Sequence, residues 1–241
     1  MLTDLWTVTV KGWKDLFLYR GGIISTLVVL AAFGVVQPAL GGPEFTRGPF
    51  LPLLLIWLPL FLAATMTADS FAGERERHTL ETLLASRLSD RAILLGKLAA
   101  VVSYGWGVAL ASLSLGLITA SLAHGHGRPL LPPANTLAVI VTMSLLTSLL
   151  AAGAGTLVSL RSPTVRQAQQ ILSTSLVVLI FGGTLIGRAL PAAWKLRFVT
   201  ALSGPQLVRT ELALGAALLA ADVVLLAACL ATFHRARLIL D

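Results

Sequence analysis

The stretch whose reading decides the fold is Glu74 to Lys97, ERERHTLETLLASRLSDRAILLGK. It is the one long charged segment in an otherwise apolar chain, and it sits between two runs long enough to cross a membrane. Its charges come first, as Glu74-Arg75-Glu76-Arg77. Leu80, Leu83 and Leu84 then fall on one helical face, since residues three and four apart are neighbours on a helix. Ser89 precedes Asp90-Arg91 and reads as the N-cap of the next helix. The pattern predicts a short helix, charged and apolar-striped, tethered in water by two spans. Such an element can seat in a groove on a partner and transmit a push. The plainer reading is a solvated loop whose charges only set topology.

The rest of the chain supplies the lipid. Of 241 residues, 56% are hydrophobic and 12% charged, and the mean hydropathy is +0.86. Soluble domains carry about 25% charged residues, so the composition is that of an integral membrane protein. Six apolar runs approach the roughly 20 residues that a helix needs to cross hydrocarbon. They are Gly21 to Leu40, Phe50 to Ser70, Ala92 to Ala123, Ala134 to Leu160, Ala168 to Ile186 and Leu212 to Phe233. The third is too long for one perpendicular crossing and should tilt or project. Pro52 and Pro59 are expected to kink the second. Nothing alternates with the period of a barrel strand. The predicted fold is all-α, a polytopic protein with six transmembrane helices.

Ahead of the first run, Leu2, Leu5, Trp6, Val10, Trp13, Leu16 and Phe17 recur near helical spacing, with charges between them. Residues 1–20 therefore read as an amphipathic interfacial helix, not a cleaved signal peptide. Residues 21–233 form the membrane domain and 234–241 a short tail. Twelve of the eighteen basic residues fall on one side if both termini face the cytoplasm, among them Lys11, Lys14, Arg75 through Lys97, Arg161 and Arg235. Positive charge accumulates inside, so this topology is the better one. The net charge of +7 then reflects span flanks, not nucleic-acid binding. The stretch Arg188–Glu211, with Trp194, Phe198 and Pro205, is expected to lie in the interface or dip into the membrane.

The charged segment carries a resemblance. Phe71-Ala72-Gly73-Glu74-Arg75-Glu76-Arg77, Thr79-Leu80-Glu81 with Leu83-Leu84, Ser89-Asp90-Arg91 and Leu95-Gly96-Lys97 resemble the signature of ABC-2 type ABC transporter permeases. His78 stands where that family usually has glycine. The resemblance implies a type V exporter-like membrane subunit with a cytoplasmic coupling helix between helices 2 and 3. It implies ATPase-coupling roles for Glu74, Glu76, Thr79, Leu80, Glu81 and Leu84, and a second cytoplasmic contact at Arg161–Gln167. The implied partners are two separate ABC ATPase subunits, a second permease copy or a related permease, and membrane lipid. This chain would bind no cofactor itself, with ATP and Mg used by the partner. The setting is the inner membrane of a bacterial cell, with export the implied direction.

Other features are weaker. Leu95-Gly96-Lys97-Leu98 lacks the glycine spacing and hydroxyl of a phosphate loop, so no ATPase site is legible and the chain is not read as an enzyme. His124-Gly125-His126 is a two-histidine turn without a carboxylate, more surface than metal site. Asp222, in the middle of the sixth run, is either a polar lining or inter-helix pair, or a hydrogen-bonded structural residue. Gly153-Ala154-Gly155 and Gly182-Gly183 are expected to permit close helix packing. The lone Cys229 excludes an internal disulfide. Two rival readings stay open. An intramembrane protease or lipid hydrolase needs a nucleophile–base or metal set in the spans, and a secondary transporter should show internal repeats.

Overall fold

The computed structural model describes residues 2–18, 20–42, 44–47, 50–79, 88–189, 191 and 207–233. Among them the chain is helical, without a strand. Helix α1 is Leu2–Leu18 and α2 is Arg20–Ala31, which runs through a π-helical turn, Ala32–Val36, into α3, Gln37–Leu40. Then come α4 (Glu44–Arg47), α5 (Phe50–Glu76), α6 (Asp90–His124), α7 (Ala134–Arg161), α8 (Val165–Ala189) and α9 (Leu207–Thr232). Six of the helical stretches are long and apolar enough to cross a membrane: Gly22–Leu40, Leu51–Glu76, Asp90–His124, Ala134–Arg161, Val165–Leu185 and Arg209–Thr232. All six predicted spans are present. The third, at 35 residues, is about 52 Å long at 1.5 Å per residue and must project beyond the hydrocarbon or tilt steeply.

Spans 2, 3 and 4 make the core. Their apolar windows are 56%, 44% and 39% buried, against 11%, 6% and 11% for spans 1, 5 and 6. One apolar cluster fills the half of the bundle toward Phe71, with Ile93, Leu94, Leu98, Ala152, Leu160 and Phe233. A second fills the other half, with Phe45, Leu51, Leu55, Tyr104, Leu113 and Ile140. The glycine expectation divides here. Gly153 lies against Leu225 of α9, whose Cβ would stand 3.2 Å from an added methyl, and Gly155 lies against Thr67 of α5. Among the described residues nothing lies within 4 Å of such a methyl at Gly182 or Gly183, so those two glycines pack against none of the described helices.

Near two helix prolines, hydroxyls from neighbouring helices donate to backbone carbonyls. Pro38 has no N–H to reach the Gly34 carbonyl four residues earlier, and Thr119 Oγ1 donates to that carbonyl at 3.0 Å. Across Pro59 the helix α5 is continuous, and Thr147 Oγ1 donates to the Ile56 carbonyl at 2.8 Å. Tyr104 donates to Thr26 Oγ1 at 2.5 Å, because the Thr26 proton is already given to the Gly22 carbonyl.

The amphipathic α1 packs on the start of span 3. Val8, buried, occupies the space over Gly96, and Thr9 Oγ1 donates to the Gly96 carbonyl at 3.2 Å. Trp13 Nε1 donates to Ser103 Oγ at 3.0 Å, and Trp6 is exposed. Beside Trp13, the residues that seat α1 are Val8, Thr9 and Gly12, which the apolar periodicity passed over. Small and hydroxyl residues permit the close approach that large apolar ones would block.

Candidate functional site

The charged segment is built on the end of α5. Glutamate and arginine are good helix formers, so the helix of span 2 does not stop at the end of its apolar run. It continues through Glu74, Arg75 and Glu76. The first charges of the segment therefore belong to the helix of span 2. The stop is a Schellman motif: His78 N–H donates to the Arg75 carbonyl at 3.1 Å and Thr79 N–H to the Glu74 carbonyl at 2.9 Å. His78 sits at the left-handed position with φ of 53°, the conformation in which glycine is favoured. The histidine at the place of the resembled glycine therefore keeps the glycine turn. Thr79 is exposed, and its Oγ1 donates to the Glu74 carbonyl at 3.3 Å. Leu80, Glu81 and Leu84 lie outside the described residues, as does the Leu80–Leu84 stripe. Ser89 caps α6 as its sequence predicts, accepting from Ala92 N–H at 3.3 Å.

Around this end the charges pair inward. Lys97 Nζ stands 2.8 Å from Glu74 Oε2, with the side chains only 13% and 15% exposed. The same ammonium donates to the Ser70 carbonyl and lies 4.2 Å from the centroid of the Phe71 ring. Phe71 in turn meets Phe233 at the end of span 6, ring centroids 5.4 Å apart. Arg75 donates from Nη1 to the Ser162 carbonyl at 2.6 Å and from Nη2 to the Leu160 carbonyl at 3.1 Å. Those carbonyls belong to the C-terminus of α7, where helical partners run out. Glu76 Oε1 accepts from Val165 N–H at 2.9 Å, an orphan donor at the N-terminus of α8. Arg77 pairs with Asp69 on its own helix at 2.8 Å, in the open, and that hydrogen bond raises the guanidinium pKa further above its ordinary value. Ser159 Oγ accepts from Phe71 and Ala72 N–H at 3.1 and 3.0 Å and donates to the Ala68 carbonyl, tying α7 to the last turns of α5.

Of the sequence-predicted residues, Glu74 and Glu76 are thus engaged within the chain, and Thr79 is close to them. Arg75, Lys97 and Ser159 were not singled out by sequence reasoning. The alternation Glu-Arg-Glu-Arg was the visible signal. Its partners were not, because they are backbone atoms and a lysine some 20 to 90 positions away.

Asp222 stands apart. It is 3% exposed in α9, and neither carboxylate oxygen has a hydrogen-bond partner among the described residues. It lies seven residues from Gly215, which faces Met143 of α7, and seven from Cys229, whose Sγ is 3.4 Å from the Gly153 carbonyl. That spacing puts Asp222 on the face of α9 turned to α7. Neither the inter-helix pair nor the hydrogen-bonded structural role is realised among those residues. At the opposite end of the bundle, His124 Nε2 donates to the Ala39 carbonyl at 2.9 Å, closing span 1 on span 3. A cleft between α5 and α8, lined by Phe61, Thr65, Gln169, Ser173 and Leu176 among others, carries no charge.

Fold and site together define a polytopic helical membrane protein with a cluster of paired, half-buried charges at one end and Asp222 buried apart from it. The family model for the ABC-2 type transporter matches residues 2–199, well over half of the chain. The chain belongs to that family, and is a membrane-spanning transporter permease. No curated protein matches it.

Proposed function

We propose that this chain is the permease of an ATP-driven exporter in a bacterial inner membrane. A second copy, or a related permease, completes the translocation pathway. Two separate ATPase subunits bind at the charged end, which faces the cytoplasm with both termini, and they supply ATP and Mg. ATP binding closes the motor dimer, moves the segment that follows Glu76, and switches the open side of the spans.

The observation that carries this reading is the anchoring of the Glu74–Arg77 run to the ends of spans 3, 4 and 5. In a transporter family, a charged element fixed to several span ends is suited to receive a push. The stretch Thr79–Leu84 is the docking element in this reading, with Leu80 and Leu84 as its apolar contacts and Glu81 as its charged one. Asp222 lines the pathway or pairs with another chain.

The test is co-purification. Leu80→Asp and Leu84→Asp each place a charge in an apolar contact, at a cost of several kcal/mol when buried unpaired. Both variants should reach the membrane yet lose the ATPase or uncouple hydrolysis from transport, while His126→Asp at the other end leaves both intact. Full ATPase binding and full transport in both leucine variants would refute the docking assignment. Orientation is checked separately: single cysteines near Arg87 and Arg128, with Cys229 replaced, are exposed to an impermeant thiol reagent in intact cells. Only the Arg128 site should label.

A further inference from the structure

Four consecutive residues at the end of span 2 bind four different places. Glu74 takes Lys97 of span 3, Arg75 takes the last carbonyls of span 4, Glu76 takes the first free amide of span 5, and Arg77 takes Asp69 on its own helix. We propose that Glu74, Arg75 and Glu76 are an internal clamp, which makes the end of α5 and the turn Ser162-Pro163-Thr164 one mechanical unit. Glu74 and Glu76 are then positioning residues acting inside the permease, not contacts to the ATPase.

The chemistry of the helix ends supports this. A helix C-terminus presents unpaired carbonyls and partial negative charge, and an N-terminus presents unpaired amides and partial positive charge. The turn 162–164 places one of each side by side. Adjacent residues of opposite charge on α5 meet them, the guanidinium on the carbonyls and the carboxylate on the amide, so each bond is charge-assisted. Thr164 Oγ1 takes the Gln167 amide at 3.2 Å, leaving the Val165 amide to Glu76. On the other flank, Lys97 satisfies Glu74, the Ser70 carbonyl and the Phe71 ring face at once. Any displacement of the α5 end must carry spans 3, 4 and 5 with it or break these bonds. The two surfaces expected to face the motor, the segment after Arg77 and the turn at 162–164, therefore move together. Among the described residues span 1 has no bond in this knot.

The inference rests on the permease reading for its transport readout, but not for its structural one. The permease alone, purified in lipid discs, is followed by amide hydrogen exchange, and the full complex by motor affinity and by transport per ATP hydrolysed. Glu76→Ala should speed exchange at Val165 by about tenfold or more, since a charge-assisted bond closing that amide is lost. It should leave motor affinity within about twofold and cut transport per ATP by about tenfold. Glu76→Gln, which keeps an acceptor for that amide, should stay near the parent in all three. Glu74→Lys should uncouple transport, and Glu74→Lys with Lys97→Glu should restore it, a rescue that a contact to another subunit would not give. The proposal is overturned if Glu76→Ala leaves Val165 exchange unchanged while motor affinity falls, which makes Glu76 a docking residue. It is also overturned if exchange quickens with coupling intact, which makes the bond a local cap, or if the charge swap fails to rescue. If no ATPase binds the parent chain, the permease reading fails, and the exchange result still decides whether the clamp exists.

Discussion

At the charged end Glu74, its side chain 15% exposed, forms an ion pair with Lys97 at 2.8 Å, whereas Asp222, at 3% exposed more fully withdrawn from water, has no hydrogen-bond partner for either oxygen among the described residues. The difference lies in where each carboxylate sits along its helix. Near helix ends, backbone carbonyls and amides are left over, and lysine or arginine can be supplied from the aqueous flank. In mid-span every backbone group is already spent within its own helix. A carboxylate there finds nothing unless another side chain or another subunit brings it. The charged end thus holds its charges by construction, and span 6 holds one at a cost.

The contrast can be broken or sharpened by substitution, with stability followed as reversible unfolding of the isolated permease in detergent. The largest effect is expected for Lys97→Met, which strands Glu74: about 3 kcal/mol of destabilisation, as for a buried pair that loses one partner. Adding Glu74→Leu should recover most of it, because the uncompensated charge is gone. If the single variant melts with the parent, water reaches the pair and the contrast with Asp222 fails.

Arg75→Ala comes next. It leaves the Leu160 and Ser162 carbonyls without their donor and should lose about 2 kcal/mol, the range for a hydrogen bond to a charged group. Arg75→Lys should recover only part, since an ammonium lacks the fork that spans two carbonyls. The exposed Arg77–Asp69 pair makes a built-in control: Asp69→Asn should shift stability by less than about 1 kcal/mol.

For Asp222 the sign reverses. Asp222→Leu removes an unpartnered polar group and should stabilise the isolated chain by about 1 kcal/mol. A loss of stability would reveal a partner within the chain, and a loss of dimer alone would place that partner in a second subunit. The smallest effect belongs to His78→Gly, which relieves a left-handed residue at the helix stop. A gain of about 0.5 kcal/mol is expected, because glycine's freedom in the unfolded chain offsets part of the relief. A loss would mean that the imidazole itself is bonded.

The extent of the spans and the nature of their ends are local properties, and the sequence by itself determined them. Apolar length sets a crossing, so the six spans were legible to within a few residues, and Ser89 announced the start of α6 as an N-cap. The end of span 2 was misjudged because hydropathy marks where lipid ends and not where hydrogen bonding does. Glu74, Arg75 and Glu76 are polar and still helical. Gly153 and Gly182 look alike in sequence, yet among the described residues only the first has a helix against it, since a small residue permits contact without specifying which neighbour arrives. The same holds for the seat of α1, where Val8 over Gly96 joins residues far apart in the chain. Only the tertiary structure decided that Glu74 faces Lys97, that Arg75 and Glu76 straddle the turn between spans 4 and 5, and that Asp222 stands without a partner among the described residues. A charge in the sequence states a need for a partner. Which partner answers is settled by packing, which brings together helix ends that the linear order keeps some 90 residues apart.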